Sequence, residues 1–399
     1  MPSPIADQPG LLIRDPLGFS PNVMIVPPPL VPLLRFFDGT STDLDLREAL
    51  VRLTGSIQVG EVVDHLTEAL GSSGFLLNDV FLEMKTSSER AFAEAPVREP
   101  THAGGGGYPE QPAELRATFE GYFERTPAPP ANAAADGLLG IAAPHVSPDG
   151  GFRSYAAAYA ALGPSLRERT FIVLGTSHYG APDRFGLTRK PFRTPLGDAP
   201  VDAALVERLE EAAPEAVTRE DYCHSVEHSI EFQVVFLQHV LGPEVRIVPI
   251  LIGSFAKSLV EGGAPEDDPA VRRFFEALSE VHAREGKRLF WVLGIDMAHI
   301  GRRYGDRFDA RADLGPMQAV AEQDRERIER VAAGDAAGFW GLVQRNRDEL
   351  RWCGASPLYT FLRAVAPAGA RLLRYEQWNI DPASVVSFAG MEFYGTPAR

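Results

Sequence analysis

"RTFIVLGTSHYG" (Arg169–Gly180) decides the fold. A charged start, a short run of β-branched, aromatic and aliphatic residues, and an abrupt return to polar residues read as a strand buried on both faces. The strand delivers His178 at its carboxyl end. The form recurs along the chain. "LLGIAAPHVSPDGG" ends its strand at His145, and "RLFWVLGIDMAHIG" ends at Asp296 and His299. Two more apolar runs, "VRIVPILIG" and "VVSFAGMEFY", complete the strand set. Between the runs, "YAAAYAAL", "DAALVERLEEA", "SIEFQVVFLQHV", "DPAVRRFFEALSEVHARE" and "PMQAVAEQDRERIERVA" read as helices. This alternation predicts an α/β domain over residues 137–399, a sheet with helices on both faces. In an open α/β sheet functional groups gather outside the carboxyl ends of the strands. Three strand ends here supply imidazoles or a carboxylate.

The 399 residues suffice for two domains, and 45% hydrophobic with 23% charged residues is ordinary for a globular protein. A formal net charge of -15 argues against nucleic acid or an anionic membrane surface as partner. Two cysteines, Cys223 and Cys353, give no disulfide framework and fit a reducing compartment. The N-terminal "MPSPIADQPG" lacks the regions of a signal peptide, and "MIVPPPLVPLLRFF" is too short and proline-rich to span a bilayer. The expected location is cytoplasmic.

Residues 10–95 read as a separate small α+β domain. "VPPPLVPLLRFFDGT" is a short helix ended at Asp38-Gly39. "STDLDLREALVRL" and "VGEVVDHLTEALGSSG" are two further helices, the first capped by Ser41 or Thr42. "FLLNDVFLEM" reads as a hairpin turning at Asn78-Asp79, which gives a winged-helix-like arrangement. Residues 1–100 carry seven Lys and Arg against 14 Asp and Glu, so DNA binding is not expected of it. Docking of a peptide or protein, or a structural role, remains. Residues 96–136 read as a Gly/Pro/Ala-rich linker with one helix at "AELRATFEGYFER". Gly104–Gly107 lacks the strand and the Lys-Ser/Thr of a phosphate loop.

Two more clusters bear on chemistry. "DYCHSVEHSIEFQ" holds His224, Glu227, His228 and Glu231 within eight residues; as a helix it would place His224, Glu227 and His228 on one face, and His228 with Glu231. It is not the HExxH arrangement of zinc proteases. Cys353 in "ELRWCGASPLYTFLRAV" stands just ahead of a helix opened by Ser356 and Pro357, a place that lowers a thiol pKa and favours metal ligation. Each of these residues alone has an ordinary explanation: a loop histidine, a capping Asp296, a buried inert cysteine. Two imidazoles with one thiolate or carboxylate make a three-ligand site with open positions, suited to non-haem Fe(II), Cu or catalytic Zn.

The blocks "APHVSPDGG", "VLGTSHYG", "EHSIEFQ", "GIDMAHIG", "WCGASPLYTFL" and "SVVSFAG" together resemble the MEMO family, also described as AmmeMemoRadiSam system protein B, over residues 137–396. The resemblance implies a fold like that of class III extradiol ring-cleaving dioxygenases, a mixed sheet with helices on both faces; those enzymes hold Fe(II) with two His and one Glu. Carried over by motif, it implies His145, His178 and Cys353 as metal ligands. It also places His228, Glu231, Asp296 and His299 at the pocket, His299 as the acid-base residue. Two departures stand out. Ser147-Pro148-Asp149 replaces the family's aromatic continuation after "PH", and Tyr179 replaces the second histidine of the usual "PSHH". The first domain resembles small PqqD-type winged-helix domains, which implies a peptide substrate. The family's system name implies radical-SAM and AMMECR-type partners.

Three functions follow. The first is a metal-dependent redox enzyme, dioxygenase-like and oxygen-activating, using Fe(II) or, given the soft thiolate, copper. The second is a non-catalytic module that binds a peptide or partner. The third is a zinc hydrolase in which the metal activates water.

Overall fold

Side-chain caps decide where the first helices begin. The computed structural model describes residues 9–127, 137–218 and 221–395. In it Thr42 opens α1 (Asp43–Thr54) through a capping box with Asp45, and Gly55, at φ 72, closes it. Before it lie two antiparallel strands, β1 (Leu11–Arg14) and β2 (Val23–Val26), and a 3-10 helix at Pro28–Phe36. After it come α2 (Gly60–Ser72) and α3 (Asp79–Glu94). The hairpin expected at Asn78-Asp79 is not formed. The Asn78 side chain accepts the Phe81 N–H at 3.0 Å, so it starts a helix instead of a turn. The two strands therefore stand at the head of this unit rather than after its helices. Its core is Leu33, Leu46, Leu50, Val63, Leu66 and Leu70.

The contacts divide the chain into Met1–Ala95 and Pro96–Arg399. The first part of the expected linker is thus built into the larger unit. Arg98 is fully buried, and its N–H donates to the Pro191 carbonyl at 2.8 Å. The expected helix forms as α4 (Pro112–Glu124), burying Leu115 and Phe119, and Phe119 stacks on Phe236 at 4.2 Å. Residues 128–136 of that stretch lie outside the described residues.

The larger unit continues with β3 (Leu138–Ala143), α5 (Pro148–Tyr159), β4 (Thr170–Thr176), the short β5 (Phe185–Leu187), β6 (Phe192–Thr194) and β7 (Gly197–Ala199), α6 (Ala203–Ala212) and β8 (Val217–Thr218). Next come α7 (Glu231–Leu241), β9 (Arg246–Ile252), α8 (Ala256–Glu261), α9 (Pro269–Glu285), β10 (Leu289–Gly294) and β11 (His299–Gly301). Helices α10 (Pro316–Ala332), α11 (Ala336–Gln344) and α12 (Ala355–Val365), then β12 (Gly369–Asp381) and β13 (Ser384–Tyr394), close it. One mixed sheet of nine strands runs β11-β13-β3-β10-β4-β9-β5-β8, with β12 paired to β13. Its centre, β3-β10-β4-β9, is parallel, and β13 joins antiparallel. Side chains alternate between two cores, as the period of two requires. On β4, Ile172 and Leu174 face one core while Phe171 and Val173 face the other; on β10, Trp291 and Leu293 oppose Phe290 and Val292. The α/β reading with helices on both faces holds. No described helix is long and apolar enough to cross a membrane.

Candidate metal centre

Three central strands end at one place. His145 follows β3, His178 follows β4, and Asp296 and His299 follow β10. The segment ahead of α7 drops onto these ends because β4 and β10 carry glycine there. A Cβ on Gly294 would stand 2.2 Å from the Ser229 carbonyl oxygen, and one on Gly175 2.5 Å from Ser229 Oγ. This approach brings His228 into the group. Ring centroids are 5.1 Å apart for His145–His178, 5.0 Å for His178–His228 and 5.3 Å for His145–His228. Their candidate ligand atoms all lie within 4.8 Å of one another.

The His145, His178 and His299 rings are hydrogen-bonded through Nδ1. His145 donates to the Gly294 carbonyl at 2.9 Å, and His178 to Glu227 at 3.0 Å. His228 Nδ1 is 3.3 Å from the same Glu227 oxygen, and His299 Nδ1 lies between the Met297 and Arg351 carbonyls at 2.9 and 3.0 Å. An acceptor at Nδ1 holds a proton there and leaves Nε2 as the atom offered to a metal, the usual arrangement of a metal-binding imidazole. Cys353 Sγ sits 3.2 Å from His145 Nε2. Burial alone would raise its thiol, but the charge of His145 and hydrogen bonds to His145 and His178 hold it below the ordinary value.

Glu227 is the residue that sequence reasoning underrated. It also accepts the N–H groups of His178 at 2.9 Å, His228 at 2.9 Å and Ser229 at 3.1 Å. Burial opposes its charge, yet His178 and these donors hold the carboxyl well below the usual range. Burial works to lower His178 too, but the facing Glu227 and the Cys353 bond raise it well above an ordinary histidine. His228 is pushed well below, by burial first and then by its imidazole neighbours, against Glu227. Asp296 caps no helix. Its Oδ1 accepts the His145 and Val146 N–H groups at 2.9 and 3.3 Å, and burial pushes it up to about 6 against the charge of His299 and those donors.

Glu231 does not belong to the pocket. The helical face expected over 224–231 is not formed, because α7 starts only at Glu231 and Asp221–His224 is a 3-10 turn. Glu231 is fully buried against Arg98, Thr101, His102 and Tyr108. Its role is to anchor residues 98–108, whose glycines wall the pocket. His224 likewise faces away and donates from Nε2 to the Gly186 carbonyl at 3.0 Å. His102, hidden in "THAGGGG", arrives on this anchored strap. Its Nδ1 is 3.2 Å from Glu231 and its ring 5.4 Å from His228. No local signal marked it, since the partners lie over a hundred residues away. The cleft above the cluster, about 600 Å³, is lined also by Tyr179, Phe232, Arg303, Tyr304 and Ile380.

A family model described as Memo-like protein matches residues 98–392. A MEMO1 family protein of Aquifex aeolicus is 29% identical over 387 residues, 96% of this chain and 96% of its own length. A MEMO1 family protein of Desulfurococcus amylolyticus is 26% identical over 298 residues, 72% of this chain and 95% of its own. The Thermus thermophilus MEMO1 family protein TTHA0924 is 27% identical over 291 residues, 71% of this chain and 81% of its own.

Proposed function

The chain belongs to the Memo-like protein family, and on that footing we propose that it is a metal-dependent redox enzyme. His145 and His178 hold the metal with Cys353 as third ligand; His228, whose ligand atom lies within 4.8 Å of both imidazoles, is the other candidate for that place. The observation that carries this reading is the convergence of three imidazoles, two of them hydrogen-bonded through Nδ1, beside a cysteine whose thiol is held low. Three imidazoles and a thiol fit a first-row transition metal. Fe(II) is the metal we assign first, with copper next because of the soft thiolate, and zinc third. Bound there, the metal would supply redox chemistry on a small substrate, with oxygen as the co-reactant.

The chain's own residues do the rest. Glu227 orients the His178 ring and holds the His228 backbone beside it. Asp296 fixes the end of β3 and so the His145 ring. His299, its Nδ1 proton spent on two carbonyls, keeps Nε2 free to take a proton from a substrate hydroxyl and return it. Phe232, Tyr304 and Ile380 offer an apolar wall against which a substrate body excludes water. The test is oxygen uptake by Fe(II)-loaded and Cu-loaded protein across a panel of phenols and thiols. Uptake that needs the metal and falls at least about 100-fold in His299→Gln supports the reading. Hydrolysis by a zinc-loaded form with no oxygen uptake by any form replaces it with the hydrolase.

A further inference from the structure

A carboxylate outside the cluster ties its two least regular parts together. Asp324, on α10, is fully buried and meets three side-chain donors. Its Oδ1 accepts Trp352 Nε1–H at 2.7 Å, and its Oδ2 accepts the hydroxyls of Tyr375 at 2.7 Å and Ser387 at 2.6 Å. Trp352 directly precedes Cys353. Ser387 in turn holds the other segment. Its Oγ accepts the Ala298 N–H at 2.8 Å, and its backbone exchanges bonds with Met297 and Ala298 at 2.8 and 2.9 Å. One helical turn along α10, Arg327 pairs with Asp348 at 2.7 Å, and Asp348 accepts the Trp352 N–H at 2.7 Å. The same helix thus grips the cysteine turn twice. Burying a carboxylate is expensive for a fold, and an apolar side chain of that size would stabilise as well or better.

We propose that Asp324 is a positioning residue for the centre: it couples the Cys353 turn to the Asp296–His299 segment and so sets the approach of Sγ to His145. The importance of that approach rests on reading the cluster as a metal centre. The coupling itself is measured in the full-length chain without metal, so failure to bind metal overturns the centre and leaves this result standing. Amide hydrogen exchange reads it, because the N–H groups of Met297, Ala298, His299, Trp352 and Gly354 are all hydrogen-bonded. Asp324→Asn and Trp352→Phe are each expected to speed exchange about tenfold or more in both segments, 297–299 and 352–354, while β9 and α7 keep their rates. Tyr375→Phe, which removes one donor and touches neither segment, should leave both at the wild-type rate. Unchanged exchange in the two segments, or a rise spread evenly over the sheet, overturns the proposal. Should Asp324→Asn not fold, Trp352→Phe decides alone by the same criterion.

Discussion

Replacing Glu227 with glutamine changes one oxygen to an NH2 group and keeps the shape. The two carboxylate oxygens are not equivalent. Oε1 takes His178 Nδ1, His228 N and Ser229 N, while Oε2 takes the His178 N–H as its main donor. The glutamine will therefore keep its carbonyl on the crowded side and turn its NH2 against the His178 N–H. One buried N–H loses its acceptor, a loss of about 1–3 kcal/mol in stability. The His178 ring keeps a neutral acceptor in place of a charged one, so its Nε2 becomes a poorer donor. Loss of such an outer partner lowers metal affinity about 10–100-fold, or about 1.4–2.7 kcal/mol. Competition titration against a chelator reads the affinity, and urea unfolding of the metal-free protein reads the stability. Both should fall in Glu227→Gln. Wild-type metal affinity in a folded Glu227→Gln protein would refute the view that this carboxylate orients the His178 ring.

Gly294→Ala puts a methyl 2.2 Å from the Ser229 carbonyl oxygen, where about 3.3 Å is needed, so the 227–230 segment must retreat by about 1 Å. Unfolding should show a loss of about 1–3 kcal/mol, and chelator competition a weaker centre; wild-type values in both would contradict the close approach. His224 is held down to about 4 by burial, against the Gly186 carbonyl and the charges of Asp221 and Glu227, with Arg98 helping to depress it. Unfolded, it takes its proton near pH 6.5, so the unfolded chain binds more protons between pH 6.5 and 4. Its share of the acid loss of stability, about 3 kcal/mol, is complete below that window and absent above it. His224→Gln, which can still donate to Gly186, should flatten the urea-measured pH slope there; an unaltered slope would contradict it.

The sheet and the strand-end residues were legible because central parallel strands are buried on both faces and read as continuous apolar runs. What each run delivers follows directly in sequence, as with His145, His178 and His299. Helix starts were legible where a side chain caps them, as Thr42 does. Asn78 shows the limit: the same Asn-Asp pair serves a hairpin turn or a helix cap, and only the continuation through Glu94 separates them. Composition misled at 96–108. Glycines and prolines there suggested a linker, but Arg98 buries its guanidinium on Glu231. That long-range pair also removed Glu231 from the pocket. Glu227 was equally hidden, because its partners are set by two strand-end glycines and a non-helical segment rather than by helical spacing.

The central claim is that the histidine cluster and Cys353 hold a metal. Elemental analysis of protein purified without chelator or affinity metal, wild type beside His178→Ala and Cys353→Ala, tests it most directly. The expected result is near-stoichiometric iron or copper in the wild type, lost in both variants while each stays folded. Absence of any bound metal in the wild type, even after anaerobic loading with Fe(II), Cu(I) and Zn(II), would contradict the account.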